Sequence, residues 1–245
     1  MLIKKIIKLL SILRVPAWRG ALFHHRVAAG VEHADVLRKL KGCATVVDIG
    51  ANRGQFALAV RALSSAKLIA FEPLSRPAEI FRSIFSGDGV VTIHVAAIGP
   101  RLVQCEMHVS AHDDSSSLLP ISELQSKIFP GTAEVSTTVV NVAPLETFIK
   151  AEDILAPAML KLDVQGYEYE ALLGCESLLS RFDFVYCECS FFELYSGQKL
   201  AADVIDWLSF RGFHLTGMFN PTYDDQGLSV QADFLFKRDD VARDT

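Results

Sequence analysis

With 245 residues, 50% of them hydrophobic, the chain can bury one sizeable core and falls within the size of a single α/β domain with additions. A formal net charge of −5 gives no support for general nucleic-acid binding. Its five cysteines (Cys43, Cys105, Cys175, Cys187, Cys189) form no C-x-x-C pair, so neither a zinc site nor a disulfide framework is indicated, and a reducing, cytoplasmic setting is expected.

The charge is unevenly spread. Residues 1–41 hold nine Lys or Arg against Glu32 and Asp35, a balance of +7 that leaves the remainder at −12. Residues 2–13 read at helical period as a basic amphipathic helix, with Lys4, Lys8 and Ser11 on one side and a wide face of Leu and Ile. Such a helix either packs on its own domain or a sister subunit, which is the commoner use, or lies on an anionic membrane surface at the inner face of the membrane. It is cut by lysines and lacks a small-residue cleavage site, so it reads as neither a membrane span nor a signal peptide. Two further helical stretches, 17–28 and 33–41, complete an expected N-terminal arm over residues 1–41, ahead of a main domain at 42–245.

From residue 45 the pattern alternates. Strands are expected at 45–49, 67–71 and 90–96, with helices at 54–63 and 77–85 between them, and the alternation implies a largely parallel sheet covered on both faces. The middle is less regular: a strand at 103–109, a polar loop at 113–120 with three serines, a strand at 136–142 and a short helix at 145–150. This region, about 100–145, reads as an insertion over the ligand edge of the sheet. The sheet resumes with strands at 159–163 and 182–188, helices within 165–179 and at 200–210, and a closing antiparallel pair at 212–216 and 231–236. Residues 238–245 are charged and expected to fray. The fold class is a doubly wound, mostly parallel seven-stranded α/β sheet.

Ligands of such sheets sit beyond the carboxyl ends of the strands, where Asp48, Glu72, Asp163 and Glu188 fall. The turn 50–54 (GANRG) lacks the G-x-G-x-x-G that admits a pyrophosphate, and Asp48 before it would repel a diphosphate but could hold an ammonium. Glu72, 22 positions after Gly50, suits the two hydroxyls of a ribose. S-adenosylmethionine is therefore favoured over a dinucleotide, although an NAD-dependent oxidoreductase stays open, as does a binding module without catalysis.

Residues 48–56 (DIGANRGQF), 71–73 (FEP), 97–99 (AIG), 115–118 (SSSL), 160–168 (LKLDVQGYE) and 172–174 (LLG) resemble, in this order, the FkbM family of S-adenosylmethionine-dependent methyltransferases. The resemblance implies a class I methyltransferase fold and methylation of a hydroxyl oxygen on a sugar, glycan or related natural product. Carried over, it implies Asp48, Gly50, Asn52 and Gly54 around the methionine end of the cofactor and Glu72 on the ribose. Asn52 could equally cap the following helix. The chain departs from the family at Gln165, where a Glu is usual.

A sugar hydroxyl gains from a positioned base. Asp163 is the first candidate, with Lys161 on the same strand face and Glu168 returning from the next helix. His112 in the middle loop and His33 before a helix rank behind it, whereas His94 inside a strand reads as core. The acidic spacing matches no metal motif, so no metal is expected. The partner expected is a small-molecule or glycan substrate.

Overall fold

The structure, a computed structural model, describes residues 2–239, with side chains from Lys8 onward. The expected tail at 240–245 lies outside the described residues, but Arg238 does not fray. Its backbone N–H donates to Asp183 O at 2.9 Å and its Nε to Phe182 O at 3.0 Å, so it ends a strand.

Seven strands form one sheet in the order β3-β2-β1-β7-β8-β10-β9: β1 (Thr45–Ile49), β2 (Lys67–Phe71), β3 (Val91–His94), β7 (Ala158–Leu162), β8 (Phe184–Ser190), β9 (Phe213–Tyr223) and β10 (Ser229–Arg238). All pairs are parallel except those of β10 with β8 and β9. This is the expected doubly wound sheet. Strands β1 and β7 are buried at every position, mostly by apolar side chains, with Thr45, Asp48 and Lys161 as the buried polar exceptions. The short β4 (Ala97–Ile98), β5 (Val103–Ser110) and β6 (Glu134–Ala143) make a separate three-stranded sheet in the middle region, followed in sequence from β5 by α6 (Glu123–Ile128). Sequence reading missed α6, whose Ser122 caps it by accepting from Gln125 N at 3.2 Å.

Helices α4 (Gln55–Leu63), α5 (Ser75–Ile84), α7 (Glu168–Gly174) and α8 (Ala201–Ser209) flank the sheet. Two apolar clusters fill its faces. One holds Ile49, Leu160, Leu172, Cys187 and Phe236; the other holds Val46, Phe56, Met159 and Tyr186. The N-terminal arm comprises α1 (Leu2–Arg14), α2 (Pro16–Gly20), a π turn and α3 (Ala34–Lys39). It enters the second cluster through Ile12, Trp18, Val27 and Val36, and Trp18 Nε1 donates to Leu58 O at 2.8 Å in α4. The arm thus shares the main domain's core, although Leu9, Leu10 and Phe23 remain exposed. Among the described residues no helix is long and apolar enough to cross a membrane.

Candidate functional site

The sheet brings its carboxyl ends to one edge, and there a cleft of about 640 Å³ opens. That size suits a drug-sized small molecule. The register decides what faces it. Asp48 lies beside Lys161, and Lys161 beside Tyr186, in one row across β1, β7 and β8. Two residues on, Asp163, Glu188 and Asp233 form a second row on the same face, because side chains repeat with period two.

At the β1 end, Gly50 has φ +81°, and a Cβ there would stand 1.9 Å from Asp163 O. Only glycine allows this approach of the β1 turn to the end of β7. Every N–H of the turn is used within the protein. Gly50 and Ala51 donate to Phe71 O, Gly54 to Ala51 O, Asn52 to Glu72 Oε2 and Arg53 to Asn52 Oδ1. Asn52 does not cap α4, since the N-cap is Gly54 and carries no side-chain bond. Instead it adopts φ +45° and steadies the turn. Gly54 lies outside the cleft wall, under Phe81 and Phe85.

Glu72 lines the cleft, yet is only 4% exposed. Its Oε1 accepts from Leu74 N at 2.8 Å and its Oε2 from Asn52 N at 2.9 Å. Burial pushes its carboxyl up to about 7 against those two bonds. Each oxygen keeps a lone pair, so the carboxylate can still accept a diol.

Lys161 is the cation of the site. Its Nζ donates to Gly50 O at 3.0 Å, stands 3.0 Å from Asp48 Oδ1 and 3.6 Å from Asp163 Oδ2, and lies 5.5 Å from the centre of the Phe56 ring. Burial alone would favour the neutral amine, but Asp48 and Asp163 outweigh it and hold the ammonium protonated above the ordinary lysine range. Asp48 is fully buried and neither oxygen has a well-angled hydrogen bond, so Lys161 compensates its charge by proximity. Asp48 lies behind the cleft wall, and the ammonium it faces belongs to the protein.

Asp163, a third exposed at its side chain, presents its carboxylate to the cleft. Gln165, at φ +56°, donates from Nε2 to Asp163 Oδ1 at 2.8 Å and to Glu188 Oε2 at 3.1 Å. Its Oε1 accepts from Tyr195 Oη at 2.7 Å, and its backbone carbonyl from Ser117 Oγ at 2.6 Å. The amide therefore joins two carboxylates that would otherwise repel. Glu168 does not reach the cleft. Its Oε1 accepts from Val164 N and Gly166 N, clasping the loop after Asp163, and burial pushes its carboxyl up to about 7.

The opposite wall comes from the middle region. His112 lines it, and Arg53 reaches across to Asp113 with Nε 3.0 Å from Oδ2. Met107, Leu118 and Phe129 add apolar surface. Ser116 and Ser117 are buried and bonded to backbone, so the serine run shapes the loop. His94 stacks on Phe71 but, at the end of the edge strand β3, is only half-buried rather than the core residue expected, and what burial it has lowers its pKa.

Nothing in sequence spacing pointed to the roles of Tyr186, Asn220, Gln231 or Asp233. Tyr186 Oη donates to Asp233 Oδ2 at 2.7 Å, Asn220 donates to the same oxygen at 2.7 Å, and Gln231 donates to Glu188 Oε1 at 2.7 Å. Gln165 alone carried a signal, as the position where the pattern changes.

Residues 48–215 match the family described as "Methyltransferase FkbM domain". A curated relative, 2-O-methyltransferase NoeI of Sinorhizobium fredii, is 28% identical over 186 residues, covering 71% of this chain and 74% of the relative. Among solved structures, magnesium protoporphyrin IX methyltransferase of Synechocystis with bound S-adenosylmethionine is 12% identical, covers 85% of this chain and 81% of its own, and has a TM-score of 0.45. An rRNA methylase of Streptococcus thermophilus is 13% identical over 84% of this chain and 93% of its own, with a TM-score of 0.43.

Proposed function

Because the chain belongs to the FkbM methyltransferase family, we propose that it is an S-adenosylmethionine-dependent O-methyltransferase acting on a hydroxyl of a sugar or glycan. The observation that carries this reading is the pairing, on one cleft, of a diol-accepting carboxylate at the end of β2 with a charge-balanced Asp163 at the end of β7. The oxygen acceptor is supported by the printed activity of the relative from Sinorhizobium fredii. A dinucleotide is disfavoured by the turn 50–54, all five of whose N–H groups are engaged inside the protein.

The residues fit the proposed cofactor. Glu72 would hold the ribose hydroxyls, while Gly50 and Asn52 would border the methionine end, backed by the buried Lys161–Asp48 pair. When bound, S-adenosylmethionine supplies an electrophilic methyl group on a sulfonium. The chain's own task is to place a hydroxyl in line with it and to remove water. Asp163 accepts a hydrogen bond from that hydroxyl and orients it. Lys161 balances the charge of Asp163, Gln165 fixes its rotamer, and Glu168 keeps its loop rigid. His112 and the Arg53–Asp113 bridge border the entrance on the acceptor side.

Isothermal titration tests the cofactor assignment. Wild type should bind S-adenosylmethionine, and Glu72→Ala should weaken binding at least tenfold, the loss of about 1.4 kcal/mol. Equal binding by the variant would remove the ribose role, and binding of NAD in its place would support the oxidoreductase reading. The arm's exposed Leu9, Leu10 and Phe23 suit a membrane surface beside a lipid-linked acceptor. Flotation with anionic liposomes of the full chain and of a version lacking residues 1–14 should differ; identical behaviour would end that idea.

A further inference from the structure

His33 ends a 3-10 turn (Val31–His33) that is pinned to the start of α4, since Gly30 N donates to Gln55 O at 2.8 Å. A Cβ on Gly30 would stand 2.9 Å from His33 Cδ2 and 3.2 Å from Gln55 O, so glycine is what lets the imidazole lie this close. The ring packs edge-on against Phe56 and Tyr186, with centroids 5.2 and 5.7 Å away, and borders the cleft.

The hydrogen bonds settle its tautomer. Tyr186 Oη sends its hydrogen to Asp233 Oδ2 at 2.7 Å, so at 3.0 Å from His33 Nδ1 the same oxygen can only accept. His33 Nδ1 therefore carries a hydrogen, and Nε2 carries a lone pair with no partner among the described residues. Burial, then the neighbouring Asp233, keep Tyr186 a phenol, which holds the chain of bonds in this direction. Asp233 Oδ2 is 3.6 Å from Nδ1, and Asn220 fixes that carboxylate from β9. The other charged groups around the ring are the compensated Asp48–Lys161 pair, Asp163, and Glu32 of its own turn, which is bound to Lys8. This histidine, oriented by a carboxylate through a phenol, has the arrangement of an oriented general base. Asp163 is the poorer base, because both its oxygens face donors, Lys161 and Gln165. Its place is to orient the hydroxyl.

We propose that His33, positioned by Tyr186 and Asp233, is the general base that takes the proton of the acceptor hydroxyl. The inference rests on the methyltransferase reading above, and His33, Asn220 and Asp233 all lie outside the family match at 48–215. In the step, the acceptor oxygen forms a bond to the methyl carbon as the carbon–sulfur bond breaks. The bonding pair stays on sulfur, which becomes a neutral thioether, and the hydroxyl proton passes to His33 Nε2.

The test joins kinetics to spectroscopy. With an acceptor found by a labelled-methyl screen, His33→Gln should lower kcat by about 10²–10⁴-fold, with S-adenosylmethionine affinity by calorimetry unchanged and partial rescue by added imidazole. Asp233→Asn should lower kcat while KM for the acceptor and S-adenosylmethionine affinity stay unchanged, a split that a merely structural loss would not give. On wild-type protein, 15N shifts of the His33 ring should report hydrogen on Nδ1 and none on Nε2, an outcome that depends on no variant folding. A ring protonated at Nε2, or a His33→Gln variant within about threefold of wild-type turnover, overturns the base while leaving the methyltransferase standing. A wild-type protein that neither binds S-adenosylmethionine nor transfers methyl overturns both.

Discussion

The two halves of the cleft are built by different means. At the β1–β2 end, polar groups are tied by backbone: Glu72 accepts from Asn52 and Leu74, and the turn 50–54 consumes its own donors. At the β7–β8–β10 end, side chains tie one another, with Gln165 joining Asp163 to Glu188 and Tyr186 joining His33 to Asp233. The first half is a fixed mould. The second holds its shape only while each partner is present.

Breaking the mould should have the largest effect. Gly50→Ala forces a methyl group to within 1.9 Å of Asp163 O at a φ of +81°, and neither backbone can yield alone. We expect a loss of at least about 3 kcal/mol, read as a thermal midpoint lower by about 6–12 °C. A midpoint within 2 °C of wild type, on this same scale of roughly 2–4 °C per kcal/mol, would mean that the two strand ends are not locked together.

Glu168 comes next, and its effect depends on pH. Burial raises its carboxyl from 4.5 to about 7 in the folded protein, so its neutral form is favoured by folding. That contribution is complete below the unfolded value and disappears as pH rises through about 7. Glu168→Gln keeps the acceptor oxygen for Val164 and Gly166 but cannot ionise. Relative to wild type it should therefore gain stability with rising pH over this window, by up to about 3 kcal/mol at its upper end. Parallel denaturation curves for the two proteins across that range would contradict the burial argument.

A smaller contrast sharpens the comparison directly. Tyr186→Phe strips a hydroxyl from between His33 and buried Asp233 and should cost about 1–3 kcal/mol. Asn52→Ala removes the local bonds from Arg53 N and Gln55 Nε2 and should cost about 0.5–1.5 kcal/mol. Chemical denaturation that ranks them the other way would mean that the mould, not the network, is the more fragile half.

The same contrast explains what the sequence made legible. Strands β1 and β2 begin and end where the apolar runs do, and the turn and Glu72 lie within 23 residues of each other, so short-range pattern located them. His33, Tyr186 and the Asn220–Asp233 pair of the β9–β10 hairpin come from three distant segments, joined by the order of strands in the sheet and by the docking of the arm. No local periodicity encodes such a meeting. Asp163 was found because it ends a strand, and Lys161 because period two puts it on the same face. Glu168 shares their motif, but its helix turns it back onto the backbone of its own loop. The bounds of β9 and β10 ran past the expected pair because their outer residues are partly polar and exposed, although the ladder continues to Tyr223 and Arg238.

The most direct test of the account is transfer of a labelled methyl group from S-adenosylmethionine to a panel of sugars and oligosaccharides, run with wild type and Asp163→Asn side by side. The account predicts transfer to a hydroxyl by wild type and a loss of at least about a hundredfold in Asp163→Asn, with cofactor affinity unchanged. Unimpaired transfer by Asp163→Asn, or no transfer by a wild-type protein that binds the cofactor, would contradict it.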